Sequence, residues 1–286
     1  MTRIVHLNGH LVPETEARVS IFDRGFLMAD AVYEVTGVLN GKLIDFDGHM
    51  ARLDRSLREL GMGNPHDRDA WLAIHRELVT RNAVDNGLIY LQVSRGSAGD
   101  RDFHFPPAGT PQTVVLFTQD KADLADNPVA ETGIKVITLP DLRWQRRDIK
   151  TVQLLYPSMA KMEAKARGKS DAWLVEDGLV TEGSSNNAWI VKDGVLITRA
   201  LSQEILHGIT RAAVKRLAED LQLRVEERAF SVAEAQAADE AFVTSASHFV
   251  TSVVEIDDQP VASGKPGPVA ARMRETYIAA MRETAI

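Results

Sequence analysis

VYEVTGVLNGKLIDF, residues 32–46, alternates apolar and polar side chains on either side of Asn40-Gly41. Two such arms around an Asn-Gly pair predict a β-hairpin, because a type I′ turn needs positive φ at both central residues and Asn-Gly adopts it cheaply. IVHLNGHLV, residues 4–12, repeats the pattern around Asn8-Gly9, and Asp-Gly pairs at 177–178 and 193–194 predict two more hairpins. Strands therefore recur at both ends of the chain.

Helical signals separate them. Asp47 is placed to cap HMARLDRSLRELG, in which Leu53, Leu57 and Leu60 share one face and Gly61 marks the exit. A second helix is predicted over about Asp67 to Asn82, a third over Tyr156 to Arg167, a fourth from about Ile209 to Leu221 and a last one from about Pro268. GLIYLQVSRG (87–96), TVVLFTQ (113–119), IKVITLP (134–140) and stretches near 225–256 read as strands. Such a mixture is α+β rather than a regular βαβ alternation. Asp120 to Gly133 has little periodicity and reads as a linker, dividing an N-terminal α/β domain (1–119) from a C-terminal domain (134–286).

With 286 residues, 44% of them hydrophobic and 26% charged, the chain can bury an ordinary globular core. A net charge of -7 and a pI near 5.7 argue against a nucleic-acid surface, which needs excess lysine and arginine. There is no cysteine, so disulfides, thiolate metal sites and thiol nucleophiles are excluded together. No apolar run approaches the roughly 18 residues that span a bilayer, and the N-terminus has no signal-peptide pattern; a cytoplasmic protein is expected. Arg167-Gly168-Lys169-Ser170 ends like a phosphate-binding loop, but Glu163 replaces the required first glycine, so a helix exit is the better account. No histidine pair has zinc-site spacing, and no metal is expected.

Three features carry chemistry. In RRDIKTVQLL (146–155), Lys150 lies within a strand-like run beside Arg146 and Arg147. A lone strand lysine is ordinarily an edge or solvated residue; its functional alternative is a Schiff-base amine held toward neutrality by burial or nearby cations. In LVTEGSSNNAWIV (179–191), Glu182 ends a strand and precedes small polar residues; it is either part of a plain turn or a carboxylate that keeps a heteroaromatic nitrogen protonated. In LHGITRAAVKRLAEDL (206–221), the first free N–H groups after Gly208, those of Ile209 and Thr210, belong either to a plain helix start or to an anion site.

The order DIK, VTEGSSNN, GITR and TSASHFVTSVVEID (244–257) resembles the fold-type IV pyridoxal-phosphate enzymes, most closely the D-amino-acid aminotransferases. DRGFLMADAVYEV (23–35), HMARL (49–53) and YLQVSRG (90–96) extend the likeness over nearly the whole chain. The resemblance implies a two-domain α+β fold with a smaller N-terminal and a larger, β-rich C-terminal domain that binds pyridoxal 5′-phosphate. It implies a homodimer and a ping-pong transfer of an amino group from a D-amino acid to a 2-oxo acid. Lys150 matches the lysine that forms the Schiff base and carries the proton, and Glu182 the carboxylate on the pyridine nitrogen. Arg52 matches the phosphate-binding arginine, supported by the Ile209 and Thr210 N–H groups, and Leu206 the residue behind the ring. Ser245 and Ala246 match a further phosphate contact, where the family usually offers two hydroxyl residues.

The departures concern substrate. Tyr33 matches the tyrosine and Arg101 the arginine of the family's α-carboxylate trap, but Phe103 occupies the expected histidine position and His104 follows it. On a strand that one-residue slip turns His104 away; on a loop it still reaches inward. Gly37 stands where many of these enzymes carry a lysine, predicting extra room for a larger or less charged donor such as an (R)-amine. (R)-selective amine transaminase, branched-chain aminotransferase and aminodeoxychorismate lyase are the related alternatives. A branched-chain enzyme usually shows a YEG(I/L)R-type sequence where this chain has YEVTGV. A cofactor-less binding protein is opposed by the joint presence of Lys150 and Glu182.

Overall fold

The computed structural model describes residues 2–286, which divide into two compact units. One comprises the chain up to Leu124 together with Ile149–Gln153 and Thr284–Ile286; the other comprises Ala125–Asp148 and Leu154–Glu283. The short segment carrying Lys150 thus packs with the N-terminal unit, although the sequence places it in the C-terminal domain.

The N-terminal unit contains β1 (Ile4–Leu7), β2 (His10–Pro13), α1 (Arg24–Met28), β3 (Ala31–Leu39), β4 (Lys42–Ile44), α2 (Phe46–Glu59), α3 (Arg68–Arg81), β5 (Gly87–Ser94) and β6 (Thr113–Asp120). All six strands join one antiparallel sheet in the order β2-β1-β6-β5-β3-β4. Asn8-Gly9 and Asn40-Gly41 have the predicted positive φ values, 50° and 86° in the first turn and 51° and 71° in the second. α2 packs on β3 and α3 on β1, burying Leu53, Leu57, Trp71 and Leu78.

Helix ends show where local signals sufficed. Asp67 caps α3, accepting from the Ala70 N–H at 2.8 Å. α2 leaves through a Schellman motif: Met62 N–H donates to Leu57 O and Gly61 N–H to Arg58 O, with Gly61 at φ 64°. Its start corrects the sequence prediction. The N-cap is Asp45, in the left-handed region and without a side-chain cap bond, whereas Asp47 lies inside the first turn and accepts from Arg68 at 2.6 Å. β4 runs directly into the helix, so the turn comes two residues earlier than the aspartate pattern suggests.

The C-terminal unit contains α4 (Val129–Thr132), β7 (Ile134–Pro140), α5 (Leu155–Ala166), β8 (Asp171–Glu176), β9 (Leu179–Gly183), β10 (Asn187–Lys192), β11 (Val195–Thr198), α6 (Ile209–Asp220), β12 (Arg224–Glu227), α7 (Val232–Gln236), β13 (Glu240–Ser245), β14 (Phe249–Ile256), β15 (Gln259–Pro260) and α8 (Pro268–Thr284), whose last residue belongs to the other unit. Its sheet runs β12-β11-β10-β13-β14-β7-β8-β9, with β15 on β14. The pairs β11/β12, β14/β7 and β7/β8 are parallel and the rest antiparallel, which makes the mixed sheet expected of an α+β fold. One core gathers Trp173, Ile190, Phe230, Val243 and Ile256; another packs Ala160 and Ala164 of α5 against Ile137 and Leu174. Alanines at that helix face allow close approach to the sheet. Within the predicted linker, Val129–Thr132 forms the single turn α4.

RRDIKTVQLL is not a strand. It is a run of turns and bends whose one ladder contact is the bridge Val32↔Thr151. The reason is visible in its backbone bonds: Lys150 N–H donates to Ser56 Oγ at 3.3 Å, Lys150 O accepts from Tyr33 N–H at 3.0 Å, and Val152 N–H donates to Ala31 O at 3.1 Å. Among the described residues, no helix is long and apolar enough to cross a membrane.

Candidate active site

In the N-terminal unit, Lys150 is half-buried and its Nζ lies 4.1 Å from the centroid of the Tyr33 ring, in cation–π geometry. Tyr33 stacks on Tyr90 and Tyr90 on Phe117, so the ring under the amine is one plate of an aromatic column rooted in the sheet. Arg146 and Arg147, the neighbours expected to act on Lys150, are engaged by carboxylates: Arg146 by Asp148 at 3.0 Å and Arg147 by Glu176 at 2.6 Å.

Arg52, on α2, is buried and bidentate on Glu34, with Nε and Nη2 each 2.7 Å from a carboxylate oxygen. His49, one turn earlier on the same helix, meets Glu34 Oε2 at 2.8 Å. Burial opposes ionisation of Glu34, but the Arg52 charge and the Arg52 and His49 hydrogen bonds outweigh it and hold the carboxyl at about 2. Arg52 is therefore locked in place by a carboxylate.

Arg101, Phe103 and His104 lie on an exposed loop. The Arg101 guanidinium sits 4.6 Å from the centroid of the Phe103 ring, and the His104 imidazole, 93% exposed, is bonded to Asp102 at 3.0 Å. The loop is tied down from beneath. Arg24 donates to Asp102 O at 2.6 Å and His104 O at 3.1 Å, and Arg95 stacks 3.8 Å from the Phe105 ring; both arginines also bind Asp30. The room predicted at Gly37 is filled: a Cβ there would stand 2.8 Å from two carbons of Ile44, its partner across β3 and β4.

In the C-terminal unit, Glu182 closes β9 and is 3% exposed. Arg143 Nη1 donates to Oε1 at 2.5 Å; Asn187 Nδ2 and Leu206 N–H donate to Oε2 at 2.9 and 3.1 Å. Oε2 is thus saturated while Oε1 retains one acceptor position, which suits the N–H of a protonated ring nitrogen. Burial pushes the Glu182 carboxyl up from its ordinary range, and Arg143 only partly offsets this because it also grips Asp141 in a bidentate pair. The neighbouring Ser184 and Asn186 are engaged by Asp171 and shape the turn.

Leu206 is half-buried and leads into Gly208, the N-cap of α6. With no side chain, Gly208 leaves the first-turn N–H groups of Ile209 and Thr210 uncapped, a donor set that suits an anion such as a phosphate. α6 packs on β13, whose end Ser245 leads through Ala246 into the turn before β14.

The sequence reading singled out neither Arg143 nor Asn187. Arg143 has no local pattern to mark it, since its partner Glu182 lies 39 residues away. Asn187 carried only the signal of its residue type, since asparagine runs against strand propensity; its burial at the start of β10 is visible only in the structure. Among the described residues, no group of three His, Cys, Asp or Glu side chains is arranged for a metal.

Residues 31–256 match the amino-transferase class IV family. D-alanine aminotransferase of Staphylococcus aureus (strain MSSA476) is 37% identical over 273 residues, covering 96% of each chain. D-alanine aminotransferase of Bacillus licheniformis is 39% identical over 266 residues, covering 93% of this chain and 92% of its own. The solved structure of the T.th. branched-chain amino acid aminotransferase with pyridoxamine 5′-phosphate matches with a TM-score of 0.89 at 27% identity, over 98% of this chain and 94% of that one. The chain belongs to the class IV aminotransferases, with their two-domain α+β fold, and is an aminotransferase.

Proposed function

We propose that the protein is a pyridoxal-phosphate-dependent transaminase that takes the amino group of a D-amino acid and delivers it to a 2-oxo acid. The observation that carries the choice of donor is the 37% identity, over 96% of both chains, to a protein called D-alanine aminotransferase. The cofactor is supported by the donor set of the C-terminal unit, a buried carboxylate with one acceptor position left and an uncapped helix start.

When bound, pyridoxal phosphate supplies an electron sink for the carbanion formed at the donor's Cα. Lys150 Nζ would hold the cofactor and would move the proton at the donor's Cα, and the Tyr33 ring that it lies over keeps the amine in place. Glu182 would hold the proton on the ring nitrogen. Arg52, the Ile209 and Thr210 N–H groups, and Ser245 with the Ala246 N–H bind the phosphate, and Leu206 backs the ring. Tyr33, Arg101 and His104 bind the donor's carboxylate. Exposed Leu155, Met159 and Met162, at helical spacing on α5, support a homodimer. A cytoplasmic enzyme is consistent with the absence of cysteine.

One observation favours a second donor class: Phe103 covers the guanidinium of Arg101, which would suit an (R)-amine lacking a carboxylate. Cofactor-loaded protein mixed separately with D-alanine, L-alanine, L-leucine and (R)-1-phenylethylamine, without acceptor, tests both. Loss of the yellow cofactor band with D-alanine alone is the expected result; loss mainly with the (R)-amine or L-leucine rejects the D-amino-acid assignment. Lys150→Ala is expected to abolish turnover with the fold intact, and normal turnover in that variant rejects the cofactor chemistry. Glu182→Gln is expected to lower kcat more than cofactor retention.

A further inference from the structure

Asn187 opens β10, is 4% exposed, and stands where three parts of the proposed cofactor site meet. Its Nδ2 donates to Glu182 Oε2 and to Leu206 O, each at 2.9 Å. Both partners are pure acceptors, so the amide has its NH2 toward them. Leu206 N–H donates to the same Glu182 oxygen at 3.1 Å, and Gly208 N–H to Leu206 O at 2.9 Å, which closes a small network running from the carboxylate to the start of α6. Asn187 Oδ1 occupies the place where a side chain at position 208 would begin: a Cβ on Gly208 would lie 2.0 Å from it. Across the sheet Asn187 pairs with Thr244, the residue before Ser245.

We infer that Asn187 is the positioning residue that holds the Glu182 carboxylate and the N-terminus of α6 in one rigid cradle, so that the ring nitrogen and the phosphate are received in register. By filling Oε2 it leaves only Oε1 for the ring. By holding Leu206 O it sets the turn that aims the Ile209 and Thr210 N–H groups. Gly208 is required here for space, since its φ of −65° is open to any residue. This inference rests on the pyridoxal-phosphate assignment above.

The experiment uses full-length protein freed of cofactor and reconstituted. For wild type, Asn187→Ala and Asn187→Asp it measures the Kd of pyridoxal phosphate and of phosphate-free pyridoxal, the pH midpoint of the bound cofactor's visible spectrum, and the cofactor-free melting temperature. Asn187→Ala is expected to raise both Kd values by about 10- to 100-fold, as loss of two hydrogen bonds to a buried carboxylate and carbonyl predicts, and to move the spectral midpoint. Asn187→Asp, which sets a second carboxylate against Glu182, is expected to do so more strongly. Wild-type Kd values and midpoint in Asn187→Ala overturn the inference. So does a loss confined to pyridoxal phosphate with pyridoxal unaffected, since that reports only the phosphate end. A wild-type protein that takes up no pyridoxal phosphate overturns the proposed function and this inference with it.

Discussion

Glu34 in the N-terminal unit and Glu182 in the C-terminal unit are both buried glutamates facing an arginine, yet their carboxyls move in opposite directions. Glu34 receives both arms of Arg52 and a bond from His49, enough to overcome burial and hold it ionised to about pH 2. Glu182 receives one arm of Arg143, whose other contacts go to Asp141, so burial prevails and the carboxyl is pushed up. Cation per carboxylate, rather than burial alone, separates a structural lock from a carboxyl that burial pushes up. A carboxylate short of positive charge is also the one that gains most from a cationic ring N–H.

The largest effect should follow from breaking the better-satisfied pair. Glu34→Gln leaves the buried Arg52 opposite a neutral amide and is expected to cost about 3–5 kcal/mol, read by chemical denaturation of the cofactor-free protein. A cost below about 1 kcal/mol would mean that Glu34 and Glu182 do not differ in kind. In the same unit His75 is fully buried, with Nδ1 against Trp71 O at 2.7 Å, the Phe46 ring edge-on, and Nε2 without a hydrogen-bond partner. Burial, with smaller contributions from His49 and His6, pushes its pKa from 6.5 to about 4. The unfolded chain therefore binds more protons between those values, and the stability from this group, present above pH 6.5, is lost as pH falls toward 4. Its full extent is roughly 3 kcal/mol. His75→Leu should flatten that limb of the stability curve, and an unchanged slope would reassign it. Glu34 adds a second acid limb: its contribution is present above 4.5 and is lost as pH falls toward about 2.

The smallest effect sharpens the comparison by its sign. With the Glu182 pKa raised, the folded protein holds that proton more tightly than the unfolded chain does, so the group's contribution is present below 4.5 and is lost as pH rises through the folded pKa. Glu182→Gln is therefore expected to gain stability relative to wild type as pH rises above 4.5 in the cofactor-free protein, the reverse of Glu34→Gln; the same slope in both variants would erase the distinction.

All four Asx-Gly hairpins and the long helices were legible because each depends on a few adjacent residues: φ at Asn40-Gly41, the Asp67 cap, the Gly61 exit. The Asp47 cap failed because two aspartates lie near the helix start and the one used depends on where β4 ends. The Lys150 strand failed because the segment's hydrogen bonds go to Ser56, Tyr33 and Ala31, remote residues that no local pattern reveals. Phe103 at the expected histidine position was visible, but its stacking on Arg101 was not, and neither was Ile44 filling the space beside Gly37.

By itself, then, the sequence determined the order of hairpins and helices, the family, and the side chains proposed for the chemistry, since these depend on residue identity and short-range backbone preference. Only the tertiary structure decided the electrostatic state of those side chains. Glu182 takes its character from Arg143, Asn187 and Leu206, brought to it from 39, 5 and 24 residues away, and Glu34 from Arg52 and His49 on the helix packed against its strand. A carboxylate's pKa is a property of the charges and hydrogen-bond donors within a few ångströms, and chain folding alone chooses which those are.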